Sequence, residues 1–159
     1  MKPGPVLRAV FRAPVWLYDH GLGRLLGHRF LCLTHLGRRS GRAYRTVLEV
    51  VGARDGEYFV VAGLGEGADW FRNLRARPPV EVVIGARRFA PRHRVLSEAE
   101  AVEVFARYEH RNRWVRPVLH RVLGKLLGRP YDGSAEARAR MARQLPIVGL
   151  REAGSGRPG

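Results

Sequence analysis

The chain has 159 residues, 45% hydrophobic and 9% aromatic, which suits one domain with one core and is too apolar for a disordered chain. Its 29 basic residues against 14 acidic ones give a net charge of +15, and only Lys2 and Lys125 among the basic residues are not arginine. So positive a surface favours polyanionic partners (phosphorylated cofactors, anionic lipid or nucleic acid) without choosing among them.

Residues 6–28 read as an amphipathic helix in which Val6, Leu7, Val10, Phe11, Val15, Leu17, Leu22, Leu25 and Leu26 alternate with arginines, kinked or restarted at Pro14. Arg8, Arg12, Asp19 and Arg24 interrupt its apolar run, so it is neither a signal peptide nor a membrane span, and a cytoplasmic location is expected. The helix reads as a cover for one end of a barrel. The sharper alternative is an interfacial anchor that makes peripheral contact with the inner face of the plasma membrane.

Phe30–Leu36 has the length and apolarity of a strand. Cys32 lies within it and reads as a buried residue; as the only cysteine it excludes an internal disulfide. The six histidines show no metal-ligand spacing, so no metal is expected. A turn over residues 37–42 leads to a strand at Thr46–Val51. Asp55-Gly56 is a hairpin signal before a further strand at Tyr58–Ala62. The glycine loop 63–67 opens a short helix at Asp69–Arg77, stopped by Pro78-Pro79, and Val80–Ile84 and Arg87–Val95 form a second hairpin around Gly85-Ala86.

Ser97-Glu98-Ala99-Glu100 is a capping box for a helix to about Arg111, striped by Ala101, Val104, Phe105 and Tyr108. Residues 113–127 give a second basic amphipathic helix, bent at Pro117. Ser134 caps a helix to about Gln144, and Pro146–Leu150 is a final strand before a Gly/Pro/Ser-rich tail that reads as disordered. Leu22–Gly27 and Leu123–Gly128 echo one another as helix ends stopped by glycine. The fold class is therefore α+β: an N-terminal helix over 1–29, an antiparallel barrel with C-terminal helices over 30–150, and a tail over 151–159.

Two segments have the chemistry of a binding site. In Gly37-Arg38-Arg39-Ser40-Gly41-Arg42, glycines bend the backbone and expose N–H groups, while arginine forks match phosphate or carboxylate oxygens. In residues 60–74 a strand ends in a glycine loop that admits a flat ring or a phosphate, and Trp70 and Phe71 can wall a pocket. Each segment alone reads equally well as an ordinary basic turn or a loop with core aromatics. No catalytic triad or carboxylate pair is visible, and Tyr44, Tyr108 and Tyr131 are unranked candidates for a proton donor.

The order Gly37-Arg38-Arg39-Ser40-Gly41, Asp55-Gly56, Tyr58–Ala62, Asp69-Trp70-Phe71-Arg72-Asn73-Leu74-Arg75-Ala76 and Gly85-Ala86-Arg87-Arg88-Phe89 resembles the deazaflavin (F420)-dependent nitroreductase family, flavin/deazaflavin reductases with a split β-barrel. The resemblance covers roughly residues 30–110. It implies an oxidoreductase that moves hydride from reduced F420 to a quinone, enone or nitro-type substrate. It also implies that Arg38, Arg39, Ser40, Gly41 and Arg45 hold the anionic tail of the coenzyme. Val47, Leu48 and Glu49 would run beside its ring, Ala62, Gly63 and Leu64 would meet the ring at the strand end, and Trp70 and Asn73 would close that side. The chain departs from the family pattern at Val47, where proline is frequent, and at Gly63 and Leu64, where serine and lysine are frequent. Barrels of this class often dimerise, so a homodimer is a further expectation. One rival reading keeps the fold and exchanges F420 for FMN; another is a non-catalytic basic module for anionic membrane or nucleic acid. Against the latter, no RNA- or DNA-binding motif is present.

Overall fold

The computed structural model describes residues 20, 27–63 and 65–154. The expected N-terminal helix, Leu64 and the last five residues of the tail therefore lie outside the described residues, apart from His20 and a turn at 27–29. Seven strands form one antiparallel sheet: β1 (Phe30–Leu36), β2 (Ala43–Arg54), β3 (Glu57–Val61), β4 (Glu81–Ile84), β5 (Arg87–Phe89), β6 (Pro91–Val95) and β7 (Ile147–Glu152). Among the described residues four α-helices accompany them: α1 (Asp69–Ala76), α2 (Glu98–Arg111), α3 (Arg116–Leu127) and α4 (Ala135–Gln144).

The sheet order is β5-β4-β1-β2-β3-β7-β6. Its two outermost strands, β5 and β6, are consecutive in the chain and separated only by Ala90, so the sheet has to curl until its edges meet. The Ala90 carbonyl accepts a hydrogen bond from the Ala153 N–H at this seam. Arg87–Val95, expected as one strand, is thus two strands on opposite edges. Pro91, which has no N–H to give a ladder, begins the second of them.

Other boundaries moved for local reasons. β2 is longer than Thr46–Val51 because its first half pairs with β1 and its second half with β3, across an irregularity between Val50 and Gly52. Asp55 and Gly56 both have positive φ (50° and 79°), as a two-residue hairpin requires. β7 runs to Glu152, two residues beyond the expected strand end at Leu150, because Arg151 pairs with Glu57 and Glu152 with Pro91. Pro117 does not bend a helix: a 3-10 turn over Arg113–Val115 precedes α3, and the proline sits in its first turn, where a missing N–H costs nothing. The capping box is complete, with Ser97 and Glu100 each binding the other's backbone N–H.

Strand alternation divides the apolar side chains between two cores. Tyr58, Val60, Val148 and Leu150 face the barrel interior, with Leu31, Leu33, Val82 and Ile84; Trp70, Phe71 and Leu74 of α1 fill the rest of it. Phe59, Val61 and Ile147 face outward, against Val104, Phe105, Tyr108, Tyr131 and Met141 of the C-terminal part. Cys32 is buried as expected, and burial, reinforced by Glu81, pushes its thiol up to about 11, which leaves it inert.

Glu57 is the charged residue that links β3 to β6 across β7. It is buried against Gly149, where an added Cβ would lie 2.6 Å from the carboxylate. Arg94 of β6 donates to both its oxygens at 2.8 and 2.9 Å and to Glu100 at 3.0 and 3.1 Å, tying β3, β6 and the start of α2 together. Replacing Arg94 leaves a buried carboxylate without a partner. Arg94→Met is expected to lower the unfolding free energy by about 3 kcal/mol in urea titrations; a loss below about 0.5 kcal/mol would show that this side of the barrel does not rely on this pair.

Candidate functional site

The turn between β1 and β2 closes on itself: the Gly37 N–H donates to the Arg42 carbonyl and the Gly41 N–H to that of Gly37, both at 2.8 Å. Gly37 is required by contact, since a Cβ there would lie 2.7 Å from Ser40 Oγ and 2.9 Å from the Tyr44 ring. Gly41 is required by its backbone, at φ +70°. Ser40 Oγ accepts from the Arg42 N–H at 3.2 Å, so the hydroxyl shapes the turn from within.

α1 approaches this turn from the other motif. Asn73, only 4% exposed, accepts from the Arg38 N–H at 3.1 Å and from Arg38 Nη1 at 3.0 Å, both at Oδ1. Its oxygen is thereby committed, so its amide nitrogen faces His35 Nδ1 at 3.0 Å and donates to it. His35 is then an acceptor at Nδ1: a neutral ring protonated at Nε2. Burial holds its pKa below the ordinary 6.5, against the upward pull of Asp69. Asp69 Oδ1 also receives both Arg38 terminal nitrogens at 3.4 Å, but with Asp69 82% exposed this pair adds little. The buried amide, not the surface ion pair, joins the two motifs.

The structure therefore separates the arginines expected to act alike. Arg38 is half-buried and engaged in the scaffold, whereas Arg39 and Arg42 are exposed and make no ion pair among the described residues. Arg77, just past α1, is added to the group: its guanidinium lies 3.6–3.9 Å from where a Gly41 Cβ would stand, and it too has no acidic partner among the described residues. Sequence reasoning missed Arg77, since the only local signal was its place between a helix end and Pro78-Pro79. Arg45, on the exposed start of β2, has interactions of its own.

Further along β2, Val60 pairs with Val50, so the chain leaves β3 through Ala62 and Gly63 at the level of Leu48 and Glu49. Ala62 is fully buried, and the space where a Gly63 Cβ would stand is open for 4 Å. Leu48 packs against the barrel core, so only Val47 and Glu49 of the expected trio present side chains to the outer face. Trp70 is likewise a core residue, 8% exposed and set edge-on to Phe71 at 6.0 Å. The alternative of ordinary core aromatics is the one the structure shows for this pair.

Glu49 accepts from the Tyr108 hydroxyl at 2.8 Å and borders a cleft of about 360 Å³, also lined by His28, Arg29, Tyr108, Arg111 and Asn112. Burial, followed by the charge of Glu49, pushes the Tyr108 hydroxyl well above its ordinary range, so it keeps its proton. Tyr131 is buried at Glu109 away from this cleft, and Tyr44 is 45% exposed beside His35. Of the three tyrosine candidates, only Tyr108 lines this cleft.

From Ala43 to Leu48 the strand spans roughly 17 Å at about 3.3 Å per residue. The site thus has a cationic turn at one end and, at the other, an open strand exit beside a cleft. That shape and donor set suit an elongated molecule with a flat head and an anionic tail. Among the described residues no group of His, Cys, Asp and Glu could hold a metal.

A family model described as F420H(2)-dependent quinone reductase matches residues 11–118. No curated protein matches the chain. Among solved structures, an F420-H2 dependent reductase is 22% identical, covering 79% of this chain and 96% of its own at a TM-score of 0.46. A protein of unknown function from Agrobacterium tumefaciens is 17% identical over 86% of this chain and 55% of its own, with a TM-score of 0.52. A pyridoxamine 5′-phosphate oxidase-related, FMN-binding protein from Nostoc punctiforme is 14% identical over 96% and 83%, with a TM-score of 0.41. The likeness to the Agrobacterium protein is one of fold.

The neutral His35 has a measurable consequence. Its pKa lies below 6.5 in the folded chain, so the unfolded chain binds the extra proton first and stability falls as pH drops through that value. His93, also lowered by burial, acts in the same direction. An NMR titration of the His35 ring is expected to give a midpoint below 6.5. A midpoint above it would contradict the hydrogen-bond order at Asn73.

Proposed function

The chain belongs to the F420H(2)-dependent quinone reductase family, and on that premise we propose how its residues serve an F420-dependent quinone reductase of split β-barrel fold. When bound, reduced F420 supplies a hydride, so the protein need provide only binding, orientation and electrostatics.

In this reading the guanidinium groups of Arg39, Arg42 and Arg77, unpaired among the described residues, would hold the anionic tail, and Ser40 and Gly41 keep the turn in shape. Arg38 and Asn73 hold that turn against α1 and do not themselves need to grip the ligand. Val47 and Glu49, whose side chains take the outer face of β2, and the open edge at Gly63 would flank its ring. The observation that carries the reading is the separation along β2 of a turn rich in exposed cations from the open exit of β3 at Gly63.

The cleft beside Glu49 is the place for the quinone. Hydride addition leaves negative charge on a quinone oxygen, and Arg29 and Arg111 line the cleft with positive charge that favours it. Arg111 is held in place by its 2.6 Å bond to the Val51 carbonyl. Tyr108 fixes Glu49 and retains its own proton, so the single proton that must join the hydride to give a quinol would come from water, which reaches the cleft past the exposed Arg29.

The Arg39→Ala/Arg77→Ala double variant is expected to weaken F420 binding at least tenfold, about 1.4 kcal/mol, in a fluorescence titration, with an unchanged thermal midpoint. FMN titrated in parallel should bind more weakly than F420. Tight FMN binding without F420 binding would move the protein to the flavin reading of the same fold.

A further inference from the structure

Eight large apolar side chains are exposed among the described residues, and five of them fall in one segment: Trp114 (85% exposed), Val115, Val118, Val122 and Leu126. At about 100° per residue, Val115, Val118, Val122 and Leu126 share a single stripe of α3 and the turn before it. Leu119, Leu123 and Leu127 lie to one side of that stripe and pack on the outer core, so α3 is already docked by another face. Arg121 and Lys125 lie along its other side. From His110 to Tyr131 the sequence holds no acidic residue, and Arg113, Arg116, Arg121, Lys125 and Arg129 make no ion pair among the described residues. Arg113 instead lies over the Trp114 ring at 5.4 Å.

We propose that this face of α3 is a docking surface for an anionic lipid bilayer, with Trp114 and the valine stripe in the interfacial region and the arginines and Lys125 at the headgroups. An exposed apolar stripe edged by unpaired cations, with an indole at one end, is the pattern of a helix lying in a membrane interface. Spanning is excluded for the described residues: α3 has 12 residues, and no helix is long and apolar enough to cross. A second copy is a poorer occupant, because twofold pairing of this face brings its uncompensated cations together. Nucleic acid would satisfy the charges and leave the apolar stripe in water. The inference rests on this helix face alone and is independent of the reductase reading.

The test is co-sedimentation of the full chain, without coenzyme, with vesicles of phosphatidylcholine alone or mixed in equal parts with phosphatidylglycerol. The wild type should sediment with the acidic vesicles and not the neutral ones. The Trp114→Ser/Val118→Ser/Val122→Ser variant should bind at least tenfold more weakly, and Arg121→Gln/Lys125→Gln about tenfold more weakly. These side chains are exposed, so circular dichroism should show both variants folded; Val95→Ser, exposed elsewhere, should bind as wild type does. Failure of the wild type to bind acidic vesicles overturns the proposal, as does undiminished binding by the apolar-face variant. A wild-type dimer that the apolar-face variant splits, with no vesicle binding, would assign the face to a second copy instead.

Discussion

The candidate site depends on one buried amide. Asn73 receives two donors from Arg38 on its oxygen and gives its nitrogen to His35, so a single side chain fixes the basic turn, the end of β1 and α1 relative to one another. Such a group cannot be left half-satisfied: each lost partner strands a buried polar atom at about 1–3 kcal/mol. The same requirement forces His35 to remain neutral. The arrangement frees the exposed arginines for a ligand because the turn they stand on is held by other atoms.

The barrel makes this possible by its closure. With Ala90 the only residue between the two edges of the sheet, the curl of the barrel is set by chain connectivity. α1 can then insert Trp70, Phe71 and Leu74 into the interior while turning Asp69 and Asn73 outward to the turn. The outer face of the same sheet is left to α2, whose Tyr108 reaches Glu49 and whose Arg111 reaches the Val51 carbonyl. Turn end and cleft end are thus positioned by different helices on one long strand.

Much of this was legible in the sequence where the signal was local. Phe30–Leu36, the Asp55-Gly56 turn and the Ser97–Glu100 capping box announced themselves by apolar run, turn chemistry and cap spacing, and the resemblance named Asn73 and the basic turn. What the sequence hid was set by tertiary contact. Nothing local distinguishes Ala90 as the point where one apparent strand changes edges. Arg38 and Arg39 are chemically alike and adjacent, yet only the position of Asn73 decides that one serves the scaffold and the other faces solvent. Arg77 joins the group only because α1 ends above Gly41. Leu48 and Trp70 were expected at the ligand, and the pleat of β2 and the inward face of α1 turn them to the core. The apolar stripe of α3 was visible as amphipathicity; which of its faces the core would use was not.

The most direct measurement is F420 affinity of the Asn73→Ala variant against wild type, with folding checked by circular dichroism. Asn73 is buried, so on this account it acts by holding the turn to α1. Affinity should fall at least tenfold, about 1.4 kcal/mol, while the barrel remains folded. Wild-type affinity in a folded Asn73→Ala protein would contradict the claim that this amide organises the site.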